Sequence, residues 1–290
     1  MQITNELGLP EPFVEAVSKG YGYKEKRYSV TQILKGTCEA ILERRHADEI
    51  TQDVSDMVWL IFGTAVHSIL ENAQETDTQL KENYITADMQ DGYILSGIFD
   101  LYDEATGMVT DYKTATVWKV IYGEWDDYRM QLLIYAWMLK GMGFDVKGGQ
   151  IVALLKDHSK SKARREADYP RHPVYVKSWN FTESDFAYIE AWLWQKFEDI
   201  KLAEELPDDE LPVCTPDERW AKPGKWAVMK NGRKSAVKLW DSREDAEAHA
   251  ESLGSGHYVE HRPGSDGKCS EYCNAAPWCS YWQERYGKED

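Results

Sequence analysis

Apolar positions recur at helical spacing along residues 31–46 (TQILKGTCEAILERRH), where Ile33, Leu34, Cys38, Ile41 and Leu42 share a face and Thr31 is a candidate cap. A second helical pattern covers about residues 53–74, through VSDMVWLIFGTAVHSILENAQ. The period then changes. Residues 92–103 (GYILSGIFDLYD) and 107–115 (GMVTDYKTA) are β-type runs joined by a polar turn, which predicts a hairpin. Residues 127–142 are helical again, 149–157 (GQIVALLKD) form a buried strand, and 182–205 form a long amphipathic helix behind a capped start. Pro-rich, acidic LPDDELPVCTP (206–216) marks a hinge. Beyond it come two strands around the Asn231, Gly232 pair, a helix over 241–254 with Ser242 and Asp245 at its cap, and a strand at HYVEHRPG. The first two dozen residues, with Pro10, Pro12 and three glycines, read as an extended lead-in. The order predicts a mixed α/β fold: lead-in 1–27, core 28–205, hinge and ββαβ insert 206–268, and a C-terminal segment 269–290.

Composition narrows the picture. The 290 residues suit one large or two modest domains. An apolar share of 42% and an aromatic share of 12% exclude a disordered acidic chain. The net charge of −16 argues against a basic protein that coats duplex phosphates. Residues 183–210 alone carry ten Asp/Glu against two Lys, so much of the excess sits on one helix and the hinge, which leaves room for a cleft that takes a strand end. No apolar run approaches the roughly 18 residues of a membrane helix; the best, 57–62, stops at Gly63. The start, MQITNELGLPEPF, has neither a basic region nor a signal core. A globular protein of the cytoplasm, with no membrane partner, is expected.

Candidate chemistry sits in four short patterns. With a four-residue loop at 104–107, Asp100 falls directly opposite Asp111. Like charges facing each other across a ladder are unfavourable, and hard oxygen donors so placed suit Mg²⁺ or Mn²⁺. Lys113, two residues on, projects from the same face as Asp111, where an ammonium serves to orient water or neutralise a phosphorane. His67 lies in an otherwise apolar segment, either as a core histidine or as a ligand to the same metal. Gln131 and Tyr135 are four apart on a helix and share a face.

Taken together, Gly63/His67, Gly97/Asp100, Asp111/Lys113 and Gln131/Tyr135 make the chain resemble the RecB-like branch of the PD-(D/E)XK nucleases. That branch carries G-x-x-x-H, G-x-x-D, D-x-K and Q-x-x-x-Y in this order, and the resemblance covers about residues 28–205. Phage- and prophage-type exonucleases look closest. The resemblance implies a PD-(D/E)XK core with a mixed central sheet flanked by helices. It implies that His67, Asp100, Asp111 and the Tyr112 carbonyl hold Mg²⁺ or Mn²⁺, that Lys113 is the catalytic lysine, and that Gln131 and Tyr135 support the site and meet the DNA. The activity implied is metal-dependent exonuclease cleavage of single-stranded or end-containing DNA, in a bacterial or phage-infected cell, with recombination or replication proteins as candidate partners. A DNA-end-binding or assembly subunit is the alternative, and RNA remains open as the substrate.

Cys269, Cys273 and Cys279 are spaced C-x3-C-x5-C, and a fourth thiolate would complete an iron–sulfur or zinc site. CRISPR-associated exonucleases and the AddB nuclease domain, similar in their C-terminal cysteines, imply a 4Fe–4S cluster, with Zn²⁺ as the alternative. The family layout points to Cys38 as the fourth ligand. Cys38, however, lies on an apolar helix face, whereas Cys214 lies in a loop with nothing to bury it. Cys214 is favoured and Cys38 kept as the alternative. For DNA contact the candidates are Lys156, Lys160, Lys162, Arg164 and Arg165, which follow a core strand; 219–238 adds seven Lys/Arg and no acid.

Overall fold

The hairpin expected around residues 104–107 is present in the computed structural model, which describes residues 1–18 and 22–287. Contacts divide the chain into two units, Met1–Leu206 and Pro207–Asp290. The first unit begins with β1 (Gln2–Thr4), α1 (Glu11–Val17), β2 (Arg27–Ser29), α2 (Val30–Ile33), α3 (Thr37–Arg45), β3 (Thr51–Asp53), α4 (Val58–Glu71) and β4 (Gln79–Asp88). It continues with β5 (Ile94–Asp103), β6 (Met108–Ala115), α5 (Val117–Tyr122), α6 (Asp126–Gly141), β7 (Gly148–Leu155), α7 (Lys160–Arg165), β8 (Val174–Asn180) and α8 (Glu183–Glu204).

Six strands make a mixed sheet in the order β2-β5-β6-β7-β8, with β4 also on β5. The β2–β5 and β6–β7 pairs are parallel; β4–β5, β5–β6 and β7–β8 are antiparallel. Leu132, Leu133, Ile134 and Leu139 of α6 are fully buried, as are Ile151 and Ala153 of β7 and Ile189, Leu193 and Ile200 of α8. Leu132 packs so closely on Gly149 that a Cβ there would lie 3.1 Å from it. The fold is mixed α/β, a central sheet flanked by helices, as expected. β4 and β8 escape the sequence pattern because neither alternates cleanly into a core. β8 buries no residue, and β4 buries only Ile85.

Several local expectations are corrected. The pattern at 31–46 breaks at Gly36, and its cap is Ser29 rather than Thr31, in a reciprocal box with Gln32. The 1–27 segment is more than a lead-in, although residues 19–21 lie outside the described residues. β1 pairs in parallel with β3, and α1 buries Val17 against Val54 and Met57. Residues 54–71 are long and apolar enough to cross a membrane by composition, against the expectation, because a turn of 3₁₀ helix runs into α4. Residues 231–237 form a loop in place of a tight Asn-Gly turn, and Gly232 supplies its left-handed residue (φ +79°).

The second unit contains β9 (Ala221–Lys222), β10 (Lys225–Lys230), β11 (Lys238–Trp240), α9 (Arg243–Ser252), β12 (His257–Arg262), β13 (Ser265–Asp266), α10 (Gly267–Glu271) and α11 (Ser280–Tyr286). β11-β10-β12 is a small antiparallel sheet on which Ala246 and Ala250 of α9 pack against Val228. Buried Asp266 ties this unit together. Its carboxylate receives Arg219 and Arg285, each at 3.0 Å, and the Tyr281 hydroxyl at 2.8 Å.

In α8 the Thr182 hydroxyl accepts from the Asp185 N–H, and the Asp185 carboxylate accepts from the Thr182 N–H at 2.8 Å. Thr182→Ala removes half of this box and is expected to cost about 1 kcal/mol. Urea unfolding of the full chain measures it.

Candidate active site

One edge of β5 is shared by two strands. β2 pairs with residues 94–96 and β6 with 101–103, so residues 97–100 face a fork between them. Gly97 and Asp100 bound this gap. The last β5–β6 pair is Leu101 with Thr110, which places Asp100 directly opposite Asp111 one step further on. Here the ladder gives way to a side chain: the Tyr112 N–H donates to Asp100 Oδ2 at 2.7 Å.

The other edge of β5 carries β4, in register on both sides of Asp100. Lys81 pairs with Leu101 and Asn83 with Phe99, so Glu82 lies across from Asp100 without completing a pair. Its φ is +49°, a left-handed conformation that costs a non-glycine residue on the order of 1–3 kcal/mol. Both faces of β5 are covered at this level: Leu95 and Phe99 are buried on one, and Asp100 and Tyr102, at the alternate positions, on the other.

Three neighbouring strands therefore bring Glu82, Asp100 and Asp111 abreast. From α4, His67 Nδ1 stands 3.4 Å from Asp100 Oδ1 and 3.7 Å from Glu82 Oε1. Candidate ligand atoms of His67, Glu82 and Asp100 lie within 4.8 Å of one another. Asp111, 3% exposed, stands beside Lys113, whose ammonium is 3.0 Å from Oδ1 and 2.8 Å from Oδ2. Only the Oδ1 contact has hydrogen-bond geometry, which leaves buried Oδ2 without a donor. Hard oxygen donors, one imidazole and one unsatisfied buried carboxylate oxygen fit a divalent cation of the Mg²⁺ or Mn²⁺ kind.

The titrations follow from the crowding. Burial pushes the Asp111 carboxyl up, Lys113 pulls it back, and the Asp100 charge adds to the rise. Burial works against the Lys113 charge, yet Asp111 more than compensates and holds the ammonium above its ordinary value. A hydrogen bond with Asp100 raises the His67 imidazole, against the effect of its own burial. Glu82 is raised by burial and then by Asp100. Burial leads for Asp111 and Glu82 and a hydrogen bond for His67, and in all of them the neighbouring carboxylates add to the shift, a charge a cation would offset.

α6 backs the site. Tyr135 is buried, hydrogen-bonded with Gln131, and kept protonated by burial and by the Asp111 and Asp100 charges. Its ring lies against the β5 backbone: a Cβ on Gly97 would come within 2.6 Å of the ring and 3.0 Å of Val30. Gly97 and Tyr135 are thus two halves of one contact. The Tyr128 ring of the same helix faces the Lys113 ammonium at 5.4 Å.

The structure brings together His67, Asp100, Asp111, Lys113, Gln131 and Tyr135, all named from the sequence. Tyr112 contributes its N–H in this geometry. Lys156 is placed 3.4 Å over the Trp59 ring of α4, whereas Lys160, Lys162, Arg164 and Arg165 belong to α7, where Arg165 bonds Ser161 and Lys162 faces Tyr169 at 6.0 Å. Glu82 was missed. Its strand shows no clean alternation, and only the register against β5 reveals it.

Cys38 is buried in α3, at 4% exposure, within the first unit. In the second unit, burial pushes the Cys269 thiol up to about 11, and Asp266, Cys214 and Cys279 are near enough to add to the rise. Arg219 donates to the Cys214 carbonyl at 2.9 Å as well as to Asp266, which anchors the Cys214 loop.

A family model for the PD-(D/E)XK nuclease superfamily matches residues 81–280. No curated protein matches the chain. Among solved structures, SSO0001 is similar at 17% identity and a TM-score of 0.48, over 68% of this chain and 86% of that one. An exonuclease candidate from Eubacterium rectale is similar at 13% identity and a TM-score of 0.29, over 53% of this chain and 55% of that one.

The contact of Tyr135 with Gly97 makes a quantitative prediction. Gly97→Ala is expected to destabilise the chain by about 1–3 kcal/mol through overpacking. In a Tyr135→Ala background the same change is expected to cost clearly less, which a double-mutant cycle in urea measures.

Proposed function

Since this chain belongs to the PD-(D/E)XK nuclease superfamily, we propose that it is a metal-dependent deoxyribonuclease, an exonuclease that hydrolyses phosphodiesters of single-stranded or end-containing DNA in the cytoplasm of a bacterial or phage-infected cell. The observation that carries this reading is the abutment of Glu82, Asp100 and Asp111 beside His67 and Lys113 at the β5–β6 fork. Asp100, Asp111 and His67 are the proposed ligands of Mg²⁺ or Mn²⁺, with the Tyr112 carbonyl and Glu82 beside them. A divalent cation held by these residues would supply a water of lowered pKa and polarisation of the scissile phosphate.

The chain's own groups do the rest. The Tyr112 N–H fixes the Asp100 carboxylate and leaves Oδ1 turned to His67. Asp111 keeps Lys113 charged, so the ammonium is available to neutralise the growing charge on the phosphorane and to orient the attacking water. Gln131 and Tyr135 hold the β5 backbone in place behind Asp100.

End-labelled single- and double-stranded DNA, incubated with Mg²⁺ or Mn²⁺, tests the reading. Cleavage by the wild type is expected, abolished by EDTA and lowered on the order of 10³-fold, about 4 kcal/mol, in Lys113→Ala or Asp111→Asn with DNA binding retained. Absence of metal-dependent cleavage in the wild type would favour an end-binding subunit.

For the cysteines, we read Cys214, Cys269, Cys273 and Cys279 as one ligand set for a 4Fe–4S cluster, or for Zn²⁺. Support comes from the nearness of Cys214 and Cys279 to Cys269, and from partly buried thiols beside an aspartate, where a bound cation would offset mutual thiolate repulsion. Cys214→Ser is expected to lower bound iron or zinc and Cys38→Ser to leave it unchanged, as measured by metal analysis of purified protein. The reverse result would restore Cys38.

A further inference from the structure

α4 is an anomaly among the helices: apolar from Val58 to Phe62, yet with none of its residues buried. Trp59 is 59% exposed, and Phe62 stands edge-on to it at 6.4 Å. Helix spacing puts Trp59, Gly63 and His67 four apart in turn, along one stripe about 12 Å long. At one end of the stripe is a largely exposed indole; at the other is the imidazole beside Asp100.

Two independent observations say what lies along it. First, Lys156 holds its ammonium 3.4 Å over the Trp59 ring and has no carboxylate partner among the described residues. Its backbone N–H is tied to Ala115 at 3.0 Å, at the end of the strand that carries Asp111 and Lys113. An exposed indole with a cation over one face and no carboxylate to neutralise it, on a chain of net charge −16, matches an unpaired base on the other face and its phosphate. Second, Gly63 sits inside the helix, where alanine is the better helix former. Packing among the described residues does not explain it, because a Cβ at Gly63 would meet nothing within 4 Å. A glycine in mid-stripe leaves backbone open for a ligand to approach.

We propose that the Trp59–Gly63–His67 stripe of α4 is the track along which an unpaired DNA strand reaches the active site, with a base stacked on Trp59, its phosphate on Lys156, and the sugar–phosphate chain passing over Gly63. This deepens the nuclease reading and rests on it: the strand enters single, and its path is read by stacking rather than by base edges. A base stacked on Trp59 displaces water from an exposed ring, and Lys156 already stands where phosphate charge would be neutralised.

The test is binding of a fluorescein-labelled oligothymidylate to the full chain in EDTA, where no cleavage occurs, read by anisotropy and by Trp fluorescence. Trp59→Ala is expected to weaken binding on the order of tenfold and Trp59→Phe to recover most of it. Gly63→Leu is expected to weaken binding on the open surface without loss of thermal stability. Gly63→Ala is expected to raise the midpoint of thermal unfolding while it lowers affinity, a pair of opposite signs that a purely structural glycine would not give. Wild-type affinity in both Trp59→Ala and Gly63→Leu overturns the proposal. So does a Trp59-dependent dimer in sedimentation, which would assign the stripe to a second copy. Trp59-dependent binding to anionic phospholipid vesicles, with oligonucleotide binding unchanged, would assign it to a membrane surface. A chain that cleaves DNA but binds through other residues sinks the track alone. One that binds through Trp59 but never cleaves sinks the nuclease reading and leaves the track.

Discussion

Three carboxylates held abreast on adjacent strands set the terms for the first unit. Glu82, Asp100 and Asp111 come from β4, β5 and β6 at one level of the sheet, where like charges oppose each other and burial adds to the penalty. The fold meets this with directed partners: the Tyr112 N–H on Asp100, His67 between Asp100 and Glu82, and the Lys113 ammonium on Asp111. One buried oxygen, Asp111 Oδ2, still lacks a donor. Such a cluster is stable only with positive charge supplied, and that is also the property a phosphodiesterase site needs.

The surrounding architecture follows from keeping those groups in place. β2 and β6 share one edge of β5 and leave the gap in which Gly97 and Asp100 lie. Tyr135 fills the space over Gly97, and the fully buried face of α6 holds Tyr135 there. Paired residues on either side, Lys81 and Asn83, flank the left-handed backbone at Glu82, a strained residue beside Asp100. The second unit solves a different problem. With a small sheet and few buried side chains, it is organised around Asp266 and its two arginines, and the cysteines lie in that frame.

Charge and hydropathy distributions take on meaning once the site is located. Within a chain of net charge −16, two cations stand near the site: Lys113 on β6, paired with Asp111, and Lys156 just past the end of β7. The apolar residues of α4, which by composition alone pass for a membrane helix or a core helix, remain at the surface instead. Hydropathy records how a side chain partitions, whereas the setting of an exposed indole depends on its neighbours: the Lys156 ammonium, and Gly63 and His67 on the same helix.

By itself the sequence determined the mixed α/β class, the long helices and the opposition of Asp100 and Asp111. Those rest on local periodicity and on the length of one loop, which short stretches of chain encode. Lys113 followed from its spacing of two from Asp111, whereas His67, Gln131 and Tyr135 were marked by the resemblance of their motifs to a nuclease family and not by periodicity. Tertiary structure alone decided the rest. Glu82 becomes visible only through its register against β5, since β4 lies at the sheet margin with one residue buried. The weakly patterned β8 is likewise an edge strand. The need for Gly97 is set by a ring from a helix more than thirty residues on, and the freedom of Gly63 by the absence of any such ring. Two glycines, identical in sequence, thus differ in role because packing is a property of distant partners.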